Sequence, residues 1–283
     1  MSPRKQNKTV EKDDAKAPHA LYVYCVGESS ALARLFEEEL PGAIETAGNL
    51  ELVVEEDLAA VVSPVPLSDY SEDSLNARLA DPAWTAMRAV RHERVVEHFS
   101  SRTSIVPLRF GVIYFARERV EQMLSEKAAG LHAIIKRLSG RQEWGITVSC
   151  NREEFIKVID TLSSRLRTLT DRAKTARPGE AYLLQKKVDA LKADEARLEI
   201  KRIIAEIERE LAAHSEHAAS LRVIKDEATE QGKIVAKLAF LVATERFNDF
   251  HEEAERLAHL YDASGFKFEM TGPWPPYNFS TGE

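Results

Sequence analysis

Apolar and polar side chains alternate along the chain with two periods, one typical of β-strands and the other of amphipathic helices. Strand patterns, either alternating or continuously apolar, cover residues 21–26, 50–56, 58–65, 104–115, 143–150, 219–225, 233–242 and 266–270. Helical patterns cover residues 30–40, 82–99, 117–138, 153–173, 181–213 and 244–261. The helix at 82 should begin at Asp81-Pro82, because Asp is a favoured N-cap and Pro a favoured first residue. The pattern predicts a mixed α+β protein.

The order of these elements predicts two domains joined near Gly140. Residues 18–140 form an irregular α+β domain, and residues 141–283 carry the order β-α-α-β-β-α-β. If the two consecutive helices are one elaborated crossover, this order is the ferredoxin-like split βαβ plan with a long helical insertion. Residues 1–17 are charged and almost free of apolar side chains, so they are predicted to be a disordered tail.

Composition and charge exclude several classes of protein. The 283 residues are 44% hydrophobic and 30% charged, with a net charge of −7, which disfavours non-specific binding to nucleic acid. The sequence contains no run of about 18 apolar residues, the length that a membrane-spanning helix needs. Its first residues lack the apolar region of a secretory signal, so no such signal is expected. Cys25 and Cys150 lie in apolar strands and are expected to be reduced core residues. We therefore predict a cytoplasmic protein without a nucleic-acid or membrane partner.

Motifs for catalysis or cofactor binding were not found in the sequence. The phosphate loop, the dinucleotide fingerprint and the nucleophile elbow are absent. His214 and His217 are three residues apart but have no evident third metal ligand. His92 and His98 lie six apart on one helix, where both are expected near the surface. The sequence thus predicts no catalytic residue, no cofactor and no metal.

The C-terminal stretch TGPWPPYNF, residues 271–279, follows a strand and combines three prolines with three aromatic rings. We expect Trp274 to be buried against the core, and Pro275 and Pro276 to hold the chain extended. Tyr277 and Phe279 would then project to one side and contact a partner. The alternative is that the whole segment only covers the protein's own core.

Arg109, in the strand-like stretch VPLRFG, is the most unusual charge in the chain. Period-two alternation places Arg109 opposite Leu108 and Phe110. A buried Arg109 needs a carboxylate or carbonyl within the fold, whereas an open one is free to receive an acidic group of a partner. We favour the internally paired arrangement, because buried arginines are normally paired.

Four stretches together resemble the gas vesicle protein GvpF/GvpL family: YVY at 22–24, RHERVVEHF at 91–99 leading to VPLRFG at 106–111, EWGI at 143–146, and GPWPPYNF at 272–279. The resemblance runs from about residue 20 to the end of the chain. The first 17 residues and the acidic, serine-rich loop at 68–74 depart from it.

The resemblance implies two α+β domains, the second ferredoxin-like with additions, and a non-enzymatic function. Proteins of this family are minor components of gas vesicles, the protein-walled buoyancy organelles, and contact the hydrophobic shell protein GvpA and other accessory proteins. Two other functions stay open at this level. One is a small-ligand-sensing regulatory module, since fold alone does not determine function. The other is a hydrolase or transferase that uses His92 with acidic neighbours.

Overall fold

The computed structural model describes residues 19–281, and these form two compact units. The first unit extends to His98 and adds Leu108–Ala128, whereas the second comprises Phe99–Pro107 and the chain from Ala129 onward. Two of the divisions between them, after residues 98 and 128, fall inside helices. The predicted tail at 1–17 lies outside the described residues. Whether residues 18–140 and 141–283 fold independently stays a prediction.

The chain up to residue 138 contains five strands and five helices among the described residues. They are β1 (His19–Glu28), α1 (Ser29–Leu35), β2 (Glu51–Glu55), β3 (Leu58–Pro66), α2 (Leu67–Tyr70), α3 (Glu72–Leu79), α4 (Pro82–Ser100), β4 (Ile105–Pro107), β5 (Ile113–Tyr114) and α5 (Arg117–Leu138).

The sheet of the first unit is antiparallel and centred on β1. Strand β1 pairs with β3 on one side and with β5, and β3 pairs with β2. The predicted hairpin between β2 and β3 is confirmed, with Glu56 in the left-handed region at φ 53°. Nearly every residue of β1 is buried, which explains why its sequence is a continuous apolar run rather than an alternating one.

The predicted start of α4 is confirmed. The Asp81 carboxylate accepts hydrogen bonds from the backbone N–H groups of Ala83 at 3.0 Å and Trp84 at 3.3 Å. These are two of the amides that have no partner within the helix, so Asp81 caps it as expected.

The prediction of one strand over residues 104–115 is wrong. A non-strand segment, residues 108–112, separates β4 from β5, and Arg109 lies within it. Pro107 offers no N–H to a sheet, and Gly111 adopts φ 91°, a left-handed value that favours glycine. The backbone instead makes single bonds to β1, from Leu108 N to Tyr24 O at 2.9 Å and from Val23 N to Val112 O at 3.0 Å.

From residue 141 onward the described chain contains five further strands and four helices. They are β6 (Arg141–Cys150), α6 (Arg152–Leu162), α7 (Ser164–Thr175), α8 (Pro178–Ala212), β7 (His217–Leu221), β8 (Ala228–Thr229), β9 (Gly232–Ala243), α9 (Phe247–Asp262) and β10 (Phe266–Trp274). A short 3-10 turn, Thr244–Arg246, leads into α9.

The sheet of the second unit has the strand order β10-β6-β9-β7, with every neighbouring pair antiparallel and β8 added to β9. Alternate residues of β6 and β9, such as Ile146, Val148, Leu238 and Phe240, pack into one core with side chains of the helices, such as Phe250 of α9. This is the packing that the alternating strand and helix patterns require.

The single helix predicted over 153–173 is two helices, α6 and α7. The break is at Ser163, whose hydroxyl accepts from the backbone N–H of Leu166 at 3.2 Å and donates to Glu195 at 2.8 Å. Ser163 is therefore the N-cap of α7, and serine is among the residues that favour this position. Helix α8 begins at Pro178, which was expected to end a segment but instead occupies the first helical turn.

The expectation about the two cysteines is confirmed. Cys25 and Cys150 are both buried and unpaired, as expected for core thiols. Within the residues described, we find no helix with both the length and the apolar composition needed to cross a membrane.

Candidate functional site

The turn that carries Arg109 is held by a buried hydrogen-bonded chain. The Tyr22 hydroxyl accepts from the backbone N–H of Gly111 at 3.0 Å and lies 2.9 Å from Nδ1 of His92. The His92 ring also hydrogen-bonds to the backbone of Leu108. One aromatic pair, from β1 and α4, thereby fixes both ends of the turn.

His92 is 2% exposed, so the expectation of a surface or boundary histidine is wrong. Burial lowers its pKa from 6.5 to about 4, because desolvation disfavours the imidazolium. The ring is neutral at neutral pH, as it must be to accept from Tyr22 through Nδ1. The available signal was its spacing, because the buried Val95, Val96 and Phe99 lie three, four and seven residues further along α4 and so share its face.

Arg109 itself is exposed, and it makes no ion pair or side-chain hydrogen bond with any residue in the range 19–281. The preferred prediction of an internally paired Arg109 is therefore wrong. The reason is the turn: once residues 108–112 leave the sheet, Arg109 no longer alternates between a buried and an open face. The result is a cation on a fixed turn, with its hydrogen-bonding capacity unused within the described fold.

A charged network that the sequence did not reveal lies elsewhere in the first unit. The Glu45 carboxylate accepts from Arg88 Nε at 2.7 Å and from the Tyr70 hydroxyl at 2.5 Å. The Arg88 guanidinium lies 4.0 Å from the centroid of the Trp84 ring. The four-residue spacing of Trp84 and Arg88 on a helix was the available signal. Because its members satisfy one another, this network is best explained as structural.

A surface groove of about 590 Å³ lies between β5 and the start of α5. Its apolar lining comes from Ile113, Tyr114, Phe115 and Met123. Phe115 is 60% exposed, which is unusual for a phenylalanine in a folded protein. The charged side chains of Arg119, Glu126 and Lys127 also line it. The groove therefore combines apolar and charged side chains.

In the C-terminal segment, Trp274 was predicted to be buried and Phe279 to be exposed, and the structure shows the opposite. Trp274 is 49% exposed and its indole N–H donates to Thr271 Oγ1 at 3.1 Å, whereas Phe279 is only 7% exposed. The expectation that Trp274 is buried is wrong. The pairing of β10 with β6 is irregular between Thr271 and Trp274, and Gly272 there has φ 128°, so the strand alternation does not continue to the tryptophan.

Pro275 and Pro276 are buried, and Tyr277–Phe279 form a 3-10 turn rather than an extended segment. Tyr277 and Phe279 therefore do not project together to one side, and that part of the prediction is also wrong. Tyr277 is partly buried.

Two charged side chains of the second unit hold this turn in place. The buried Glu143 carboxylate accepts from the backbone N–H of Asn278 at 3.0 Å and from its side-chain amide. Arg137 Nη2 donates to the carbonyl oxygens of Phe279 and Thr281, each at 2.7 Å. Burial raises the pKa of Glu143, and the two bonds from Asn278 oppose that shift. Neither contact could be predicted from the sequence, because both join residues more than 130 positions apart.

The histidine and carboxylate side chains do not assemble a metal centre in the part of the chain that the structure describes. His214 and His217, in particular, do not belong to any group of three or more candidate metal ligands among those residues. The expectation that the protein has no cofactor and no catalytic group stays a prediction.

Comparison with known proteins identifies relatives over nearly the whole chain. A family model described as "Gas vesicle synthesis protein GvpL/GvpF" matches residues 20–281. Gas vesicle protein L of Streptomyces sp. (strain CB03234) is 27% identical over 269 residues, which is 92% of each chain. Gas vesicle protein L2 of Halobacterium salinarum is 22% identical over 287 residues, 99% of this chain and 96% of the relative.

Two solved structures share the fold. The crystal structure of the gas vesicle protein GvpF from Anabaena sp. PCC7120 matches with a TM-score of 0.61 and 17% identity, covering 94% of this chain and 97% of its own. The GvpF structure from Microcystis aeruginosa matches with a TM-score of 0.56 and 16% identity, covering 93% and 99%. At these identities the likeness concerns the fold alone.

Proposed function

Because the chain belongs to the gas vesicle synthesis protein GvpL/GvpF family, we propose that it is a non-enzymatic accessory protein of gas vesicle assembly that binds the hydrophobic shell protein GvpA and other accessory proteins. Family membership itself connects the chain with gas vesicles. The family match over residues 20–281 is the observation that carries the proposal. We place its action at the vesicle or at the growing shell in the cytoplasm.

A physical reason for such a protein follows from the properties of a water-excluding shell. Shell subunits must expose apolar surface before assembly, and exposed apolar patches aggregate. A protein of net charge −7 that covers such a patch keeps the subunit dispersed until it is added to the shell. The groove beside Phe115 combines apolar and charged side chains, which suits a transient contact of this type.

We assign the contacts with partners to Arg109 and Trp274, the two candidate side chains that are exposed and rigidly presented. Arg109 stands on the turn fixed by Tyr22 and His92, so little entropy is lost when it binds a carboxylate. Trp274 offers half of a large ring, and such rings contribute strongly to interfaces. Pro275, Pro276 and Phe279 are buried, so we assign them a supporting role.

The burial and the hydrogen bonds of His92 support the proposal that the protein has no catalytic role. Its ring is buried and neutral, and both ring nitrogens are engaged, one with Tyr22 and the other with the backbone of Leu108. A histidine in this state has no free nitrogen with which to accept a proton from a substrate.

We also propose that the second unit is an elaborated ferredoxin-like domain. Strands β6 and β7 are linked by a helical crossover and have β9 between them, which is the arrangement of a split βαβ unit. Helix α9 then returns the chain to β10 beside β6. Helices α7 and α8 are the addition to this plan.

The test is binding of the purified full-length chain to GvpA in a pull-down, with variants at the assigned contacts. Arg109→Glu, Phe115→Ser and Trp274→Ala should each reduce capture, with little or no change in the thermal unfolding midpoint. Arg34→Glu and Ile224→Ala are matched controls, since both residues are exposed and lie away from these surfaces in the chain. Absence of capture by the wild-type protein would contradict GvpA binding. Capture unaffected by all three variants would contradict the assigned residues.

A further inference from the structure

The helical addition to the second unit carries a strong positive charge in an acidic protein. Residues 164–187, which form α7 and the start of α8 and are named the basic hairpin, hold seven Lys or Arg side chains and two carboxylates, a net charge of +5 against −7 for the whole chain. All seven cations are exposed. Arg172, Arg177 and Lys187 form no ion pair with another residue of the described chain. A separation of charge this strong is typical of an interaction surface.

Two large apolar side chains on the basic hairpin are also exposed. Tyr182 is 63% exposed and Leu183 is 68% exposed, and Lys186 lies 5.7 Å from the centroid of the Tyr182 ring. Neither Tyr182 nor Leu183 belongs to the hydrophobic core of the unit. A surface of apolar side chains surrounded by cations is matched by a partner surface that carries carboxylates and at least one apolar side chain.

The same unit provides that complement on α9. The segment 244–262 has a net charge of −4. Asp249 and Glu252 are exposed three residues apart on one face of α9, and Glu245 is exposed in the 3-10 turn that leads into it; we name these three residues the acidic face. None of the three pairs with a cation among residues 19–281. Leu260, 54% exposed near the end of the helix, supplies an apolar side chain.

The two surfaces lie toward opposite ends of α8. The hairpin occupies its N-terminal half, where Ser163 hydrogen-bonds to Glu195 at 2.8 Å. Helix α9 runs antiparallel along the other half, with Tyr261 against Glu206 and Arg256 near Glu210. Lys187 lies near the start of α8, whereas Glu253, the neighbour of Glu252, lies near His214 just beyond its end, so about 40 Å of helix separates these unpaired charges within one chain.

We propose that a second copy of this chain docks on the basic hairpin through its acidic face, giving an antiparallel two-fold dimer along α8. In this arrangement each hairpin meets the partner's α9, so both complementary contacts form at once and the assembly closes. The symmetry axis passes between the two surfaces, close to Leu198, which is 60% exposed on α8. Pairing of two Leu198 side chains there accounts for an otherwise unpartnered leucine.

The first experiment is sedimentation equilibrium of the full chain at about 100 µM in low and high salt. We expect dimer at about 0.1 M salt and monomer at about 1 M, because the Debye length falls from about 10 Å to about 3 Å. A monomer at both salt concentrations overturns the proposal, and so does a dimer that is insensitive to salt. This series also keeps the proposal testable should a variant fail to fold.

The second experiment uses charge reversal. Arg177→Glu with Lys187→Glu, and separately Asp249→Lys with Glu252→Lys, should each weaken dimerisation at least tenfold. Mixing the two variants should restore a dimer. The hairpin made acidic in one variant meets the α9 made basic in the other, and the unaltered α9 of the first meets the unaltered basic hairpin of the second. Arg222→Glu with Lys225→Glu is the control, since both residues are exposed and give the same charge change as the hairpin variant. An equal loss in the control, or no dimer in the mixture, overturns the proposal.

Discussion

The hydroxyl of Tyr22 lies 2.9 Å from Nδ1 of His92, and this contact joins the first strand to the fourth helix beneath an exposed arginine. Because the neutral His92 ring donates its one N–H to the backbone of Leu108, Nδ1 is left to accept the tyrosine proton, which fixes the ring's tautomer. The pair has no exposed atom to offer a substrate or partner. Its role is to fix the turn of residues 108–112 and with it the direction of Arg109.

Replacing Tyr22 by Phe should destabilise the protein by about 1–3 kcal/mol, because the N–H of Gly111 and Nδ1 of His92 both lose a buried partner. Chemical denaturation measures the loss. Tyr182→Phe is the matched control, since that hydroxyl is on an exposed ring. A Tyr22→Phe variant as stable as the wild type would show that the hydrogen-bonded chain contributes nothing to the fold.

Stability should fall as the pH is lowered through the range in which His92 titrates. Its pKa is lowered from 6.5 to about 4 in the folded protein, so the unfolded chain takes up the proton first. The contribution is fully present above pH 6.5 and is lost progressively as the pH falls towards 4, by at most about 3 kcal/mol. His92→Gln should flatten this part of the stability curve relative to the wild type. An unchanged slope in that variant assigns the acid sensitivity to other groups.

Phe279→Ala should be more destabilising than Trp274→Ala. Removing the buried phenylalanine leaves a cavity and costs about 3–5 kcal/mol, whereas the half-exposed tryptophan has much less to lose. Thermal unfolding of the two variants gives the order directly. Equal losses would mean that the exposed face of Trp274 is covered in solution.

Disrupting Glu143 should release the C-terminal turn. Glu143→Ala removes both acceptors of Asn278 and should increase amide hydrogen exchange at residues 277–281 at least tenfold, because each bond to this carboxylate is charge-assisted. Glu216→Ala is the control, as that carboxylate is more exposed and lies on the same unit. Exchange that rises equally in both variants would contradict a specific role for Glu143.

The predicted domain boundary leads to a comparison of fragments. The fragment 141–283 should unfold cooperatively, as should 18–140, when circular dichroism is followed against denaturant. The longer fragment 129–283 should be more stable than 141–283, because it retains Arg137 and its bonds to Phe279 and Thr281. Equal stability of the two would indicate that these bonds are offset by the cost of ordering the arginine.

The sequence by itself determined most elements, the α4 cap at Asp81, the buried thiols and the family. These features depend on periodicity and on contacts between near neighbours, which a linear pattern records. Tertiary structure alone decided the turn at Arg109, the hydrogen-bond partners of His92 and the exchange of roles between Trp274 and Phe279. Each follows from a long-range contact: Tyr22 with Gly111 and His92, and Glu143 with Asn278. Such contacts override local alternation because a buried polar group must find its partner wherever the fold places it.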